Sequence, residues 1–146
     1  MNGILGLPRT PWHLWLVGLL GLLWNAGGAY DYIMTNIRDQ AHIAQFPAGT
    51  IQMIDEFPIW MMAAWAIGVW GAVLGSLLLL ARSRMAVHAF ALSLAGLAAS
   101  TAYQATLDMP AEMKSLGMTL MSLAIWAVAI LLLVYAVRLR RKGVLR

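Results

Sequence analysis

Apolar residues gather along this chain into four long runs, at 11–34, 58–81, 85–107 and 115–137, separated by short polar and charged segments. About 20 helical residues cross a hydrocarbon layer roughly 30 Å thick, so each run is long enough to span a bilayer. The pattern predicts an all-α membrane protein: a four-transmembrane-helix antiparallel bundle forming one domain over residues 1–146. Only Arg82, Ser83 and Arg84 separate the second and third runs, which makes those two spans antiparallel neighbours. Between the first and second runs, Arg38, Asp39, His42 and Gln45 mingle with Ile43, Phe46, Ile51 and Ile54, as in a segment lying at a membrane interface. We expect the first span to continue as helix to about Phe46, break at Pro47 to Gly49, and resume as a short amphipathic helix from Thr50. Pro58 then suits a first helical turn, with Asp55 and Glu56 at the positive end of the helix dipole.

Within the runs, small and polar residues recur at spacings of three and four. The first span carries Gly18, Gly21, Asn25, Gly28, Tyr32 and Thr35 on one stripe; the second carries Ala64, Gly68, Gly71 and Gly75; the third carries Ala86, Ala89, Ser93, Gly96, Ser100 and Tyr103. Such stripes let helix backbones approach closely in lipid, where packing and hydrogen bonds drive association. Helix packing is therefore assigned to Gly18, Gly21, Gly28, Gly68, Gly71, Gly75, Ser93, Gly96 and Ser100, with spans one to three as the tight core. The fourth span has a thinner stripe, Ser115, Ser122, Ala129 and Ala136, and packs last or faces lipid or a partner. Asn25 needs hydrogen-bond partners at its depth, most simply Ser100, Tyr103 or a backbone carbonyl on the third span. Asp31 lies 19 residues beyond Trp12, about 28 Å along a helix, which places its carboxylate at the interface and not at the bilayer centre. Asn25, Asp31, Tyr32, Thr35 and Arg38 form the candidate polar site, where the stripe of the first span reaches the interface.

Charge adds orientation. All six acidic residues, Asp31, Asp39, Asp55, Glu56, Asp108 and Glu112, fall on one side of the four runs. Eight of the ten basic residues fall on the other: Arg9, Arg82 and Arg84, then Arg138, Arg140, Arg141, Lys142 and Arg146. Cytoplasmic loops collect Lys and Arg, so both termini are expected in the cytoplasm, in a multi-pass membrane protein. With 62% hydrophobic and 11% charged residues, against about 25% charged in soluble domains, the +4 net charge does not point to nucleic acid. The tail from Arg138 to Arg146 is expected to meet anionic lipid headgroups, at about 1 kcal/mol per basic residue. The absence of Cys excludes disulfides, thiolate metal sites and thiol nucleophiles. His13, His42 and His88 are scattered, so neither a metal site nor a cofactor is expected; Met109, Met113, Met118 and Met121 read as gap fillers before they read as Cu(I) ligands. An alternative for the first run is a cleavable signal, with Arg9 before the apolar core Trp12 to Trp24 and a small-residue site at Gly27-Gly28-Ala29.

The stretch Trp24-Asn25-x-x-Gly28-Ala29-x-Asp31-Tyr32-x-Met34-Thr35-x-x-Arg38, with Phe57-Pro58-x-Trp60, Ala66-Ile67-Gly68-Val69-Trp70-Gly71-x-x-Leu74-Gly75 and Lys142-Gly143-Val144-Leu145-Arg146, resembles a group of small four-helix bacterial inner-membrane proteins, sometimes labelled "sugar transporter". The resemblance covers nearly the whole chain and implies no established activity. The chain lacks the Pro-Gln pair of the small sugar exporters, and its first span lacks the Glu of the small multidrug exporters. The leading expectation is a non-enzymatic accessory or assembly protein that acts by helix packing. The alternative is a small-solute, sugar-like carrier working as a homo-oligomer, with Asn25, Asp31, Tyr32, Thr35 and Arg38 lining an outward-facing site.

Overall fold

A computed structural model describes residues 9–146, all of whose regular structure is helical. In chain order the α-helices are α1 (Trp12–Asn36), α2 (Gln40–Ile43), α3 (Thr50–Asp55), α4 (Ile59–Leu80), α5 (Met85–Gln104) and α6 (Leu116–Arg141), with a 3-10 turn at Ala111–Lys114. Helices α4, α5 and α6 are long and apolar enough to cross a membrane, which marks a membrane protein. Helix α1 has the length, 25 residues or about 37 Å. His13 near its start and the polar stretch Asn25 to Asp31 keep it out of that strongly apolar class.

Prolines and capping groups set the helix starts. Pro11 and Pro58 precede α1 and α4 in extended backbone, and the Ser115 hydroxyl accepts from Met118 N–H at the start of α6. Three helices end in the same way, with a residue in the left-handed region: Arg38 at φ 57° after α1, Arg82 at φ 57° after α4, and Gly143 at φ 72° after α6. Each turn is closed by an N–H reaching back five residues, from Asp39 to Met34 O (3.0 Å), Ser83 to Leu78 O (2.8 Å) and Val144 to Leu139 O (3.0 Å). The turn at Arg38 corrects the expected run of helix to Phe46. Asp39 caps the next helix instead, because its carboxylate accepts from His42 N–H at 2.9 Å. The break at Pro47 to Gly49 and the short helix from Thr50 are both present.

The helices pack in the order α1, α4, α5, α6. The closest approach is between α4 and α5: a Cβ on Gly96 would stand 2.6 Å from Ala64 O, and Ser93 Oγ donates to Gly68 O at 2.5 Å. Ser93 lies against Gly71 and Phe90 against Gly75, so the stripe of α4 is spent on α5. A neighbouring face of α4 takes α1. Asn25 Nδ2 donates to Ala72 O (3.2 Å) and Ser76 Oγ (3.0 Å), and Tyr32 meets Trp65 edge-on at 4.9 Å. This corrects the expected pairing of Asn25 with the third span, since α4 stands between α1 and α5. Gly18 and Gly21 lie under Leu80 and Leu132, whereas Gly28, expected on the packing stripe, faces open space. Ser100 is buried, and its hydroxyl donates to Leu97 O of its own helix at 3.0 Å.

The bundle is filled at its basic end. Leu14, Leu79, Phe90, Leu132 and Leu139 form one cluster there, with Ala86 and Ala136 between them. After α6, Val144 and Leu145 turn inward and join this cluster, while Arg140, Arg141, Lys142 and Arg146 stay exposed. Arg146 N–H donates to Arg82 O at 2.7 Å and Arg84 N–H to Arg146 O at 2.9 Å, joining the end of the chain to the α4–α5 turn. The Arg82 guanidinium donates to Thr10 Oγ1 at 2.6 Å, which brings a fourth segment to the same end.

Candidate functional site

The acidic end is built differently. The left-handed turn at Arg38 sends the chain back across the end of α1, so that α2 lies beside Asp31. His42 Nε2 is 2.9 Å from Asp31 Oδ1, a bond that requires the proton on Nε2 because the carboxylate only accepts. His42 is also met edge-on by Tyr30 and Phe46, at 5.8 and 5.1 Å. Arg38 donates to Thr35 O at 3.3 Å and pairs with Asp55 of α3, tying the far side of the same loop to α1. Phe57 and Trp60 close on Tyr103 at 5.7 and 5.2 Å, holding the end of α5 against the start of α4.

These ties leave an open cleft of about 250 Å³ among α1, the α2–α3 loop, α3, the start of α4, the end of α5, the 3-10 turn and the start of α6. Its polar groups are few. Asp31 and Thr35 come from α1, Gln104 from α5, and Thr50, whose hydroxyl already donates to Pro47 O at 2.7 Å. The remaining wall is apolar and mostly aromatic or thioether, with Phe46, Phe57 and Trp65 and with Met53, Met61, Met113 and Met118, beside Pro47 and Ile54. Thr35 is 1% exposed, and its hydroxyl, alone among the buried side-chain polar atoms described, has no hydrogen-bond partner. Burying an unpaired hydroxyl costs about 1–3 kcal/mol. The Asp31 side chain is half-exposed, so it stays hydrated.

Of the five residues of the expected polar site, Asp31 and Thr35 meet at this cleft. Tyr32 packs on Trp65 and Trp70 and Arg38 is engaged with Asp55, so neither lines it, and Asn25 binds α4 deeper in the bundle. His42, Trp65, Gln104 and the four methionines are additions from the structure. A local signal existed for His42 alone, in an Asp three residues before it at a helix start. Met113 and Met118 come from the group considered for Cu(I); among the described residues no three His, Asp or Glu side chains are grouped as metal ligands. Comparison with known proteins finds no family model, curated protein or solved structure that matches this chain.

Proposed function

We propose that this chain is a multi-pass protein of a bacterial inner membrane that binds a small solute at its outer face and works, without enzymatic chemistry, as a homo-oligomeric carrier. In this reading α1 is a fourth span, both termini are cytoplasmic, and the acidic end faces outward, following the division of charge. The observation that carries it is the Thr35 hydroxyl, buried and unpartnered at a cleft that also presents Asp31. Buried polar groups are nearly always hydrogen-bonded, so such a group at the wall of a cleft favours a bound partner. Packing alone supplies no reason to leave it unpaired. The filled basic end blocks a path through one copy, which is why the reading calls for an oligomer.

The accessory role keeps one supporting observation: the long outer face of α6, with Leu120, Leu123, Ile130 and Leu131 exposed. Lipid covers such a face as well as a partner does. Purification in mild detergent followed by native mass spectrometry separates the two. A mass at a whole multiple of 16.0 kDa is the expected result. A stoichiometric complex with a different protein, and no self-association, would return the accessory role to first place.

A further inference from the structure

Resting on the solute-binding reading, we infer that the cleft takes a small organic ammonium ion with an apolar body, its charged head between Asp31 and Thr35. Three independent features converge on that class.

The first is the balance of the wall. A sugar needs partners for each of several hydroxyls, and the cleft offers Asp31, Thr35 and Gln104 with the Thr50 hydroxyl already engaged. An ammonium with one ring or a short chain needs a single charged acceptor and an apolar surround. The second is the kind of apolar surround. Phe46, Phe57 and Trp65 carry π faces that attract a cation within about 6 Å, and Met53, Met61, Met113 and Met118 are flexible, polarisable side chains that adapt to varied shapes. The third is charge. The segments around this end carry all six carboxylates of the chain against Arg38 and Lys114 alone, and Arg38 is already paired with Asp55. A field of that sign draws cations toward the cleft and repels anions.

The two polar groups of α1 divide the work. Asp31 gives Oδ1 to His42 and keeps a second oxygen for the ligand. Thr35, four residues along α1, belongs to the same cleft wall; its unpartnered hydroxyl has under 1 Å² of accessible surface, so in this proposal it turns to the cleft to accept an N–H that a primary ammonium has and a quaternary one lacks. A volume near 250 Å³ limits the occupant to one small molecule.

The test uses the full chain in detergent and calorimetric titration with phenethylammonium, 2-phenylethanol and phenylacetate, which share a ring and differ in the head group. Phenethylammonium is expected to bind saturably and at least 10-fold more tightly than the other two. Asp31→Asn, with its thermal unfolding checked, is expected to remove that preference. Thr35→Val is expected to weaken phenethylammonium several-fold while leaving its N,N,N-trimethyl derivative unchanged. Equal binding of ammonium and alcohol, or an ammonium preference untouched by Asp31→Asn, overturns the cation assignment. Saturable binding of the alcohol that Thr35→Val weakens would keep solute binding and discard the cation. Binding of none of the three, together with a heteromeric complex on native mass spectrometry, sinks both.

Discussion

Thr35 and Asn25 are both polar residues on the stripe of α1, and their surroundings give them opposite roles. Asn25 is satisfied twice over by α4, through Ala72 O and Ser76 Oγ, so it acts as interhelical glue. A double-mutant cycle of Asn25→Ala with Ser76→Ala, read by chemical unfolding in detergent, should show a coupling of about 0.6 kcal/mol, the average for hydrogen bonds between membrane helices, and no more than about 1.7 kcal/mol. Thr35 has no such partner. Thr35→Val keeps the shape and removes the orphaned hydroxyl, so the ligand-free protein should be more stable by about 1 kcal/mol in the same measurement. A loss of stability instead would mean that the hydroxyl is bonded within the fold. The positive φ of Arg38 belongs at this scale as well: a non-glycine residue there is strained by about 1–2 kcal/mol, and its ion pair with Asp55 helps hold it.

Between elements, small residues matter only where a neighbour stands over them. Gly96 lies against backbone of α4, which cannot yield, so Gly96→Ala should destabilise the α4–α5 pair by about 1–3 kcal/mol. Gly28→Ala meets nothing within 4 Å and exchanges a flexible helical glycine for alanine, so it should be neutral or stabilising by about 0.5–1 kcal/mol. Thermal unfolding of the two variants side by side checks both signs. Sequence spacing marked both glycines alike, because a stripe of period 3.5 records which residues share a face and not what covers it. The assignment of α1 to α4 was hidden for the same reason. Three spans carried compatible stripes, and only three-dimensional packing decided that α4 takes α5 on one face and α1 on a neighbouring one.

At the scale of the whole molecule, the two ends are unlike. One is closed by apolar side chains and by the backbone pairing of Arg146 with Arg82 and Arg84; the other is held by the Arg38–Asp55 ion pair, the His42–Asp31 hydrogen bond and aromatic contacts around a cleft. The charge division implies which end faces the cytoplasm. Since the chain has no Cys, single cysteines report cleanly on side. With an impermeant thiol reagent, Glu112→Cys and Asp39→Cys should label from outside intact spheroplasts, while Arg9→Cys and Ser83→Cys should label only after lysis. Labelling of Arg9→Cys and Asp39→Cys from the same side would show that α1 does not cross, and the chain would then have three spans.

The helical character, the breaks at Pro47–Gly49 and at Arg82–Arg84, and the separation of acidic from basic segments were legible in the sequence, because they follow from local composition and from the solvent each run prefers. Partners were not. His42 is 11 residues from Asp31, and they meet only because the chain reverses in a left-handed turn at an arginine, a residue that does not advertise one. Val144 and Leu145, beside a run of basic residues, read as part of a lipid-facing tail, and the left-handed turn at Gly143 directs them into the core. The cleft is likewise a product of tertiary structure. Its wall draws on α1, α3, α4 and α5, the loop after α2, the 3-10 turn and the start of α6, and the unpaired state of Thr35 depends on what those segments fail to offer it.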